Sequence, residues 1–266
     1  MTLIDVHAHF FQPASPRADW AERNASRLKA GEQIGITCHV ASILGSWGRT
    51  SPTYFPSPED VSAGNLALLA LQLEHPQRIR AYACVNPNYT AHALDEIDRC
   101  FAAGMIGIKL AASRRADDPL LDPIAAAARK YQAPILQHIW QHRRREWPGQ
   151  EASDAMELAT LARRHPDVAF ILAHIAGGGD WTHSLHAVRG VSNIFVDLSG
   201  SGVDGGMLEA CLDQVGHTRL LWGADITLDT GWAKLRHLEH LLREEQLEAV
   251  RWRNAAGIFP RLPTGT

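Results

Sequence analysis

The chain lacks any pattern of cysteine pairing. Its four cysteines, Cys38, Cys84, Cys100 and Cys211, are scattered through 266 residues, and none belongs to a Cys-x-x-Cys motif. That argues against a disulfide scaffold and predicts buried free thiols in a reducing compartment. No apolar run approaches the length needed to span a bilayer, so no membrane partner is expected. The first residues lack a basic start followed by an apolar stretch; no signal peptide is expected, and the cytoplasm is the expected location. Charge of one sign is also scarce. The net charge is −3, from 26 basic and 29 acidic residues, and the cluster Arg143-Arg144-Arg145 is too short for a nucleic-acid footprint. Neither a Gly-x-Ser-x-Gly elbow nor a Gly-x-x-x-x-Gly-Lys phosphate loop occurs. The expected partner is a small-molecule substrate, with no nucleic acid; a homo-oligomer stays open.

What the sequence does contain is an alternation of short apolar runs with helical patterns. Eight runs read as strands: 3–6, 34–40, 79–85, 106–110, 134–138, 169–174, 194–198 and 219–222. Helical patterns occupy 63–74, 91–103, 122–131, 153–164, 205–215, 232–239 and 245–254. His75-Pro76 and His165-Pro166 each close a helix ahead of a strand. Repeated βα units imply parallel strands with helices outside, and eight in a chain of this length predict a single-domain (β/α)8 barrel of the α/β class over 1–266. A doubly wound sheet would usually carry a Gly-rich turn after its first strand; here that strand runs into His7-Ala8-His9. The stretch 45–58 is long for a βα connection and suggests a lid or binding loop.

His7 and His9 sit two apart at a strand end, where residues i and i+2 share a face about 6–7 Å apart. Alone, the motif is weak. Yet His138 ends the fifth strand, His174 ends the sixth, and Asp225 follows the eighth. All fall on the C-terminal side of their strands, where barrel active sites form, and histidine and carboxylate suit zinc and similar ions. Beside a metal, an ionised Asp225 can ligate, accept a proton, or do both.

The segments Ile4-Asp5-Val6-His7-Ala8-His9, Gly107-Ile108-Lys109-Leu110, Leu136-Gln137-His138, Leu172-Ala173-His174-Ile175-Ala176-Gly177-Gly178, Leu221-Trp222-Gly223-Ala224-Asp225 and Arg253-Asn254-Ala255-Ala256-Gly257-Ile258-Phe259 together resemble the amidohydrolase superfamily. More narrowly they resemble its amidohydrolase-2 branch, which includes aminocarboxymuconate-semialdehyde decarboxylase-like enzymes. The resemblance implies a single divalent metal, zinc or alternatively manganese, held by His7, His9, His138 and Asp225. His174 would move protons or join a second metal. Lys109 would be carboxylated and bridge two metals, hold a substrate carboxylate, or cap the barrel end. Asp225 and His174 are the catalytic candidates. Substrate contacts are expected from Lys109, from Trp47, Arg49 and Tyr54 on the long loop, and from Trp140 and Arg143 after the fifth strand, because arginine forks suit carboxylates and aromatics cover rings.

The leading expectation is hydrolysis of a small, carboxylated lactone or amide by water activated at the metal. Non-oxidative decarboxylation of a small aromatic or muconate-like acid is the alternative, and a non-catalytic binding barrel the third.

Overall fold

The computed structural model describes residues 2–44, 50–139, 154–177, 180–202, 204–259 and 261–262. Eight parallel strands pair in sequence order: β1 (Ile4–His9), β2 (Cys38–Ser42), β3 (Ile79–Val85), β4 (Gly107–Leu110), β5 (Ile135–Gln137), β6 (Phe170–Leu172), β7 (Ile194–Asp197) and β8 (Leu220–Leu221). The sheet comes back on itself where β8 runs into the Asp225 segment. The Val6 amide donates to the Trp222 carbonyl (3.1 Å), the Asp225 amide donates to His7 O (2.7 Å), and Ala8 bridges Asp225 in parallel register. This is the expected (β/α)8 barrel.

Helices α1 (Trp20–Gln33), α2 (Pro58–Glu74), α3 (Thr90–Ala102), α4 (Asp122–Tyr131), α5 (Ala155–Arg164), α6 (Trp181–Val188), α7 (Met207–Gln214) and α8 (Leu228–Leu241) follow the strands in turn. Their ends obey local chemistry. Ser57 accepts from the Asp60 amide ahead of Pro58 at the head of α2, and Asp154 and Glu157 form a capping box on α5. Helices α2 and α5 stop just before His75-Pro76 and His165-Pro166, as expected. Two helices, α1 and α6, have no counterpart in the sequence-based expectation. Helix α1 reads WAERNASRLKAGEQ and carries too few large apolar residues to show a 3.6-residue stripe; α6 is only eight residues long. The expected strand at 34–40 begins only at Cys38, because a turn with Gly35 at φ 90° separates it from α1.

Apolar burial divides into two layers. One cluster joins outward-facing strand residues such as Ile108, Ile135 and Leu172 to the helices. The other, including Ile4, Val6, Val40, Tyr82, Leu136, Ile171 and Leu221, fills the barrel interior. The C-terminal segment runs through α9 (Glu244–Glu248), a wide turn at Ala249–Arg253 and α10 (Asn254–Ile258). Its closing motif now has a physical role. Asn254 donates to the carbonyls of His217 (2.7 Å) and Leu220 (2.8 Å), and Phe259 packs edge-on against Tyr82 inside the barrel. The barrel floor is thereby sealed with hydrocarbon, leaving polar groups to the opposite rim. Among the described residues no helix is long and apolar enough to cross a membrane.

Candidate metal centre

Strict alternation along β1 would send Ile4, Val6 and Ala8 inward and both histidines outward. A register shift between Asp5 and Ala8 prevents this: Asp5 pairs with His39, but Ala8 pairs with Ala41, so β1 holds one extra residue. Such a bulge re-aims every side chain beyond it. Ile4 and Val6 pack in the interior, Ala8 and Phe10 pack outward against the helices, and His7 and His9 turn to the mouth.

There they meet Asp225. One ligating atom from each of His7, His9 and Asp225 lies within 4.8 Å of the other two. His9 Nε2 is 3.1 Å and His7 Nε2 3.9 Å from Asp225 Oδ1. Burial pushes the His9 imidazole down to about 4, outweighing the attraction of Asp225. For Asp225, burial alone would raise the pKa, but the His9 hydrogen bond and the surrounding histidines hold it below the usual carboxylate range. A neutral His9 imidazole beside an ionised Asp225 carboxylate is the protonation pattern that metal ligation demands, so this donor set fits a divalent ion.

A buried carboxylate on β7 sets the His7 ring. Asp197 Oδ2 lies 2.7 Å from His7 Nδ1, and hydrogen bonds from His7, Ser199 and the His174 amide keep Asp197 ionised against the effect of burial. An ionised carboxylate only accepts, so Nδ1 carries the proton and the Nε2 lone pair faces the cavity. Gly223 makes room for this pair: a Cβ there would stand 2.4 Å from Asp197 Oδ1 and 3.1 Å from the His7 Cβ. Asp197 Oδ2 also accepts from the His174 backbone amide (3.1 Å). His174 has φ 36° and Asp225 φ 54°. Left-handed backbone is uncommon outside glycine; of the four non-glycine residues that adopt it among the described residues, His174 and Asp225, unlike Ala112 and Gln132, are candidate catalytic ones. His174 would point outward by alternation; its backbone turn instead stacks its ring on His7, centroids 5.6 Å apart.

His174 Nε2 lies 3.0 Å from His138 Nδ1. Burial depresses both rings, His174 to about 4, and the neighbouring His174 lowers His138 further. Lys109, fully buried on β4, places Nζ 3.0 Å from His7 Nε2; burial lowers it to about 8. A cavity of about 270 Å³ opens over the group, lined by Tyr54, His138, His174, Gly200, Asp225 and Thr227 among others.

An amidohydrolase family model matches residues 4–261. The chain belongs to the amidohydrolase-2 family. No curated protein matches it in sequence. Solved structures match in fold. The 5-carboxyvanillate decarboxylase of Sphingomonas paucimobilis is 16% identical, with a TM-score of 0.73 over 97% of this chain and 99% of that one. A dihydroxybenzoic acid decarboxylase from Polaromonas, solved with bound manganese and an inhibitor, is 16% identical, with a TM-score of 0.71 over 99% and 98%. The 4-oxalomesaconate hydratase of Rhodopseudomonas palustris is 16% identical, with a TM-score of 0.69 over 98% and 96%. At these identities the likeness is one of fold.

In this amidohydrolase-2 chain, His7, His9 and Asp225 form the compact trio. His138, expected beside them as a ligand, pairs with His174 on the cavity wall. Lys109 lies within the group, and Tyr54 covers His138, their ring centroids 4.9 Å apart. Trp47, Arg49, Trp140 and Arg143 lie outside the described residues. His39 faces away from the mouth: its Nδ1 donates to Asp5 Oδ2 (2.9 Å) between barrel and helices. Sequence reasoning missed Asp197. The available signal was a carboxylate one residue from the end of an otherwise apolar strand run, IFVDL, where only a charged partner makes burial tolerable.

Proposed function

We propose that this amidohydrolase-2 protein is a metal-dependent decarboxylase of a small aromatic or unsaturated carboxylic acid. Its four cysteines are buried and none forms a disulfide, consistent with work in the cytoplasm. His7, His9 and Asp225 would hold the ion, zinc or manganese, with His138 or His174 as a further ligand. Bound there, a divalent ion supplies Lewis acidity toward a substrate oxygen.

The observation that carries the reading is Lys109. The His7 Nε2 lone pair can be given to Lys109 or to an ion, not to both. In the loaded site the ammonium, fully buried on β4, is therefore available to a substrate carboxylate, and that burial strengthens the attraction. Loss of CO2 breaks the carbon–carboxylate bond and leaves its electron pair on carbon, which needs one proton. The His138–His174 pair suits that delivery, since neutral imidazole both donates and accepts. Tyr54, which lies over His138, would cover the substrate ring.

Three of the solved structures similar in fold act on carboxylated molecules by their names, which agrees with this reading. Hydrolysis of a lactone or amide is the second reading, favoured by the ionised Asp225 at the cavity wall as a proton acceptor. Screening manganese- and zinc-loaded protein against hydroxylated benzoates, unsaturated acids and lactones separates them. CO2 release is expected, and Lys109→Met should lower kcat/KM for the acid by about a hundredfold or more with metal content retained. Lactone opening without CO2 release, or a Lys109→Met variant that turns over the acid normally, overturns the proposal.

A further inference from the structure

A second cavity, about 310 Å³, lies on the same rim between the β1–α1 loop with α1 and the segment after β8. It shares His9 and Ile226 with the surroundings of the metal centre: His9 belongs to the ligand trio, and Ile226 lines both cavities. Its wall carries Arg17, Arg23 and Arg27, and no acidic residue is among the described residues that line it. Phe11, Ala30, Ile226 and Leu228 supply an apolar surface.

The cavity is pre-organised. Buried Asn24 clamps the Phe11 backbone at both ends, donating to its carbonyl (2.8 Å) and accepting from its amide (2.9 Å). The Arg17 guanidinium lies over the Phe11 ring, 5.1 Å from its centroid. Arg17 and Arg23 share one carboxylate, that of Asp19. Arg27 leans on Asp5, whose carboxylate also accepts from His39 and from the amides of His7 and Ala224. The Arg27 Nε–H is buried and meets no acceptor among the described residues. Three guanidiniums thus face two carboxylates that are already shared, leaving excess positive charge beside an apolar surface.

We propose that this arginine cavity is a carboxylate subsite for the part of the substrate remote from the reacting group. The substrate class becomes an acid carrying a second anionic group, one end at the ligand trio and the other on the arginine fork, with its hydrocarbon against Phe11 and Leu228. This rests on reading the His7–His9–Asp225 group as the reacting centre.

Benzoate and its neutral counterpart benzamide are the probes, titrated calorimetrically into the full chain with manganese bound and again after chelator treatment. Arg17 and Arg23 are more than one-third exposed, so the double variant Arg17→Gln/Arg23→Gln should fold as the parent does. The expected result is saturable benzoate binding in both preparations, absent for benzamide, and about tenfold weaker in the double variant with unchanged manganese content. Equal benzoate affinity in parent and variant, equal binding of benzamide, or no benzoate binding overturns the subsite. A failure of the metal reading looks different: the parent then takes up no manganese, whatever benzoate does.

Discussion

Two aspartate–histidine pairs flank the first strand, one on each face of the barrel wall. Outside, Asp5 accepts from His39 at 2.9 Å and from Arg27 at 3.0 Å. Inside, Asp197 holds His7 at 2.7 Å. The local chemistry is nearly the same: a buried ionised carboxylate orients an imidazole. What differs is where the second ring nitrogen points. His39 Nε2 faces α1, where a Cβ on Gly31 would come within 2.7 Å of it. His7 Nε2 faces Lys109 and Asp225. One extra residue in β1 separates the two outcomes, so a bulge, rather than the identity of the residues, turns scaffold chemistry into site chemistry.

The outer pair should matter most to stability. Asp5 also accepts from the Ala224 amide at 2.9 Å and so ties the seam between β8 and β1. Asp5→Ala would leave Arg27, His39 and that amide buried without their partner, a loss of about 3–5 kcal/mol for a broken buried pair. A urea-unfolding midpoint close to the parent's would show that the outer pair is not structural. The inner pair should matter most to the ion. Asp197→Asn keeps the shape but removes the charge that fixes the His7 tautomer, and should weaken manganese or zinc affinity about 10–100-fold. The same variant should unfold near the parent's midpoint. If it loses stability but binds the ion unchanged, the contrast between the two pairs collapses.

The barrel was legible in the sequence because parallel strands buried on both faces read as short apolar runs, and prolines punctuate the helices that precede them. The rim was legible because His7, His9, His138, His174 and Asp225 all fall at strand ends. Three things were not. The bulge has no one-residue signature in IDVHAH, and only the pairing of Asp5 with His39 and Ala8 with Ala41 exposes it. Asp197 looked like any polar residue closing a strand; its role depends on a glycine, Gly223, that lies far along the chain and leaves it space. Helix α1 was missed because its residues serve the arginine cavity and the Asp5 network as much as the core, which thins out the apolar stripe that periodicity detects.

The smallest expected effect is a pH dependence that apportions the two faces. Burial keeps His39 neutral in the fold, overriding the pull of Asp5, and does the same for His9 and His174, which titrate near 4. Unfolded histidine titrates near 6.5. Between those values the unfolded chain binds more protons than the folded one, so stability is complete above about pH 6.5 and declines as the pH falls toward 4. For chelator-treated protein, a loss of about 1 kcal/mol would lower Tm by about 2–4 °C in a chain of this size. His39→Gln removes the outer contribution and leaves the inner one. The part of the acid-side decline that vanishes in this variant therefore belongs to the outer pair, and the remainder to the mouth. Restoring manganese should steepen only that remainder, because protonating His9 then also expels the ion. A melting temperature that stays level from pH 7 to pH 5 would mean that the buried rings take up protons as readily as unfolded histidine, so that burial does not hold neutral donors at the mouth for a metal.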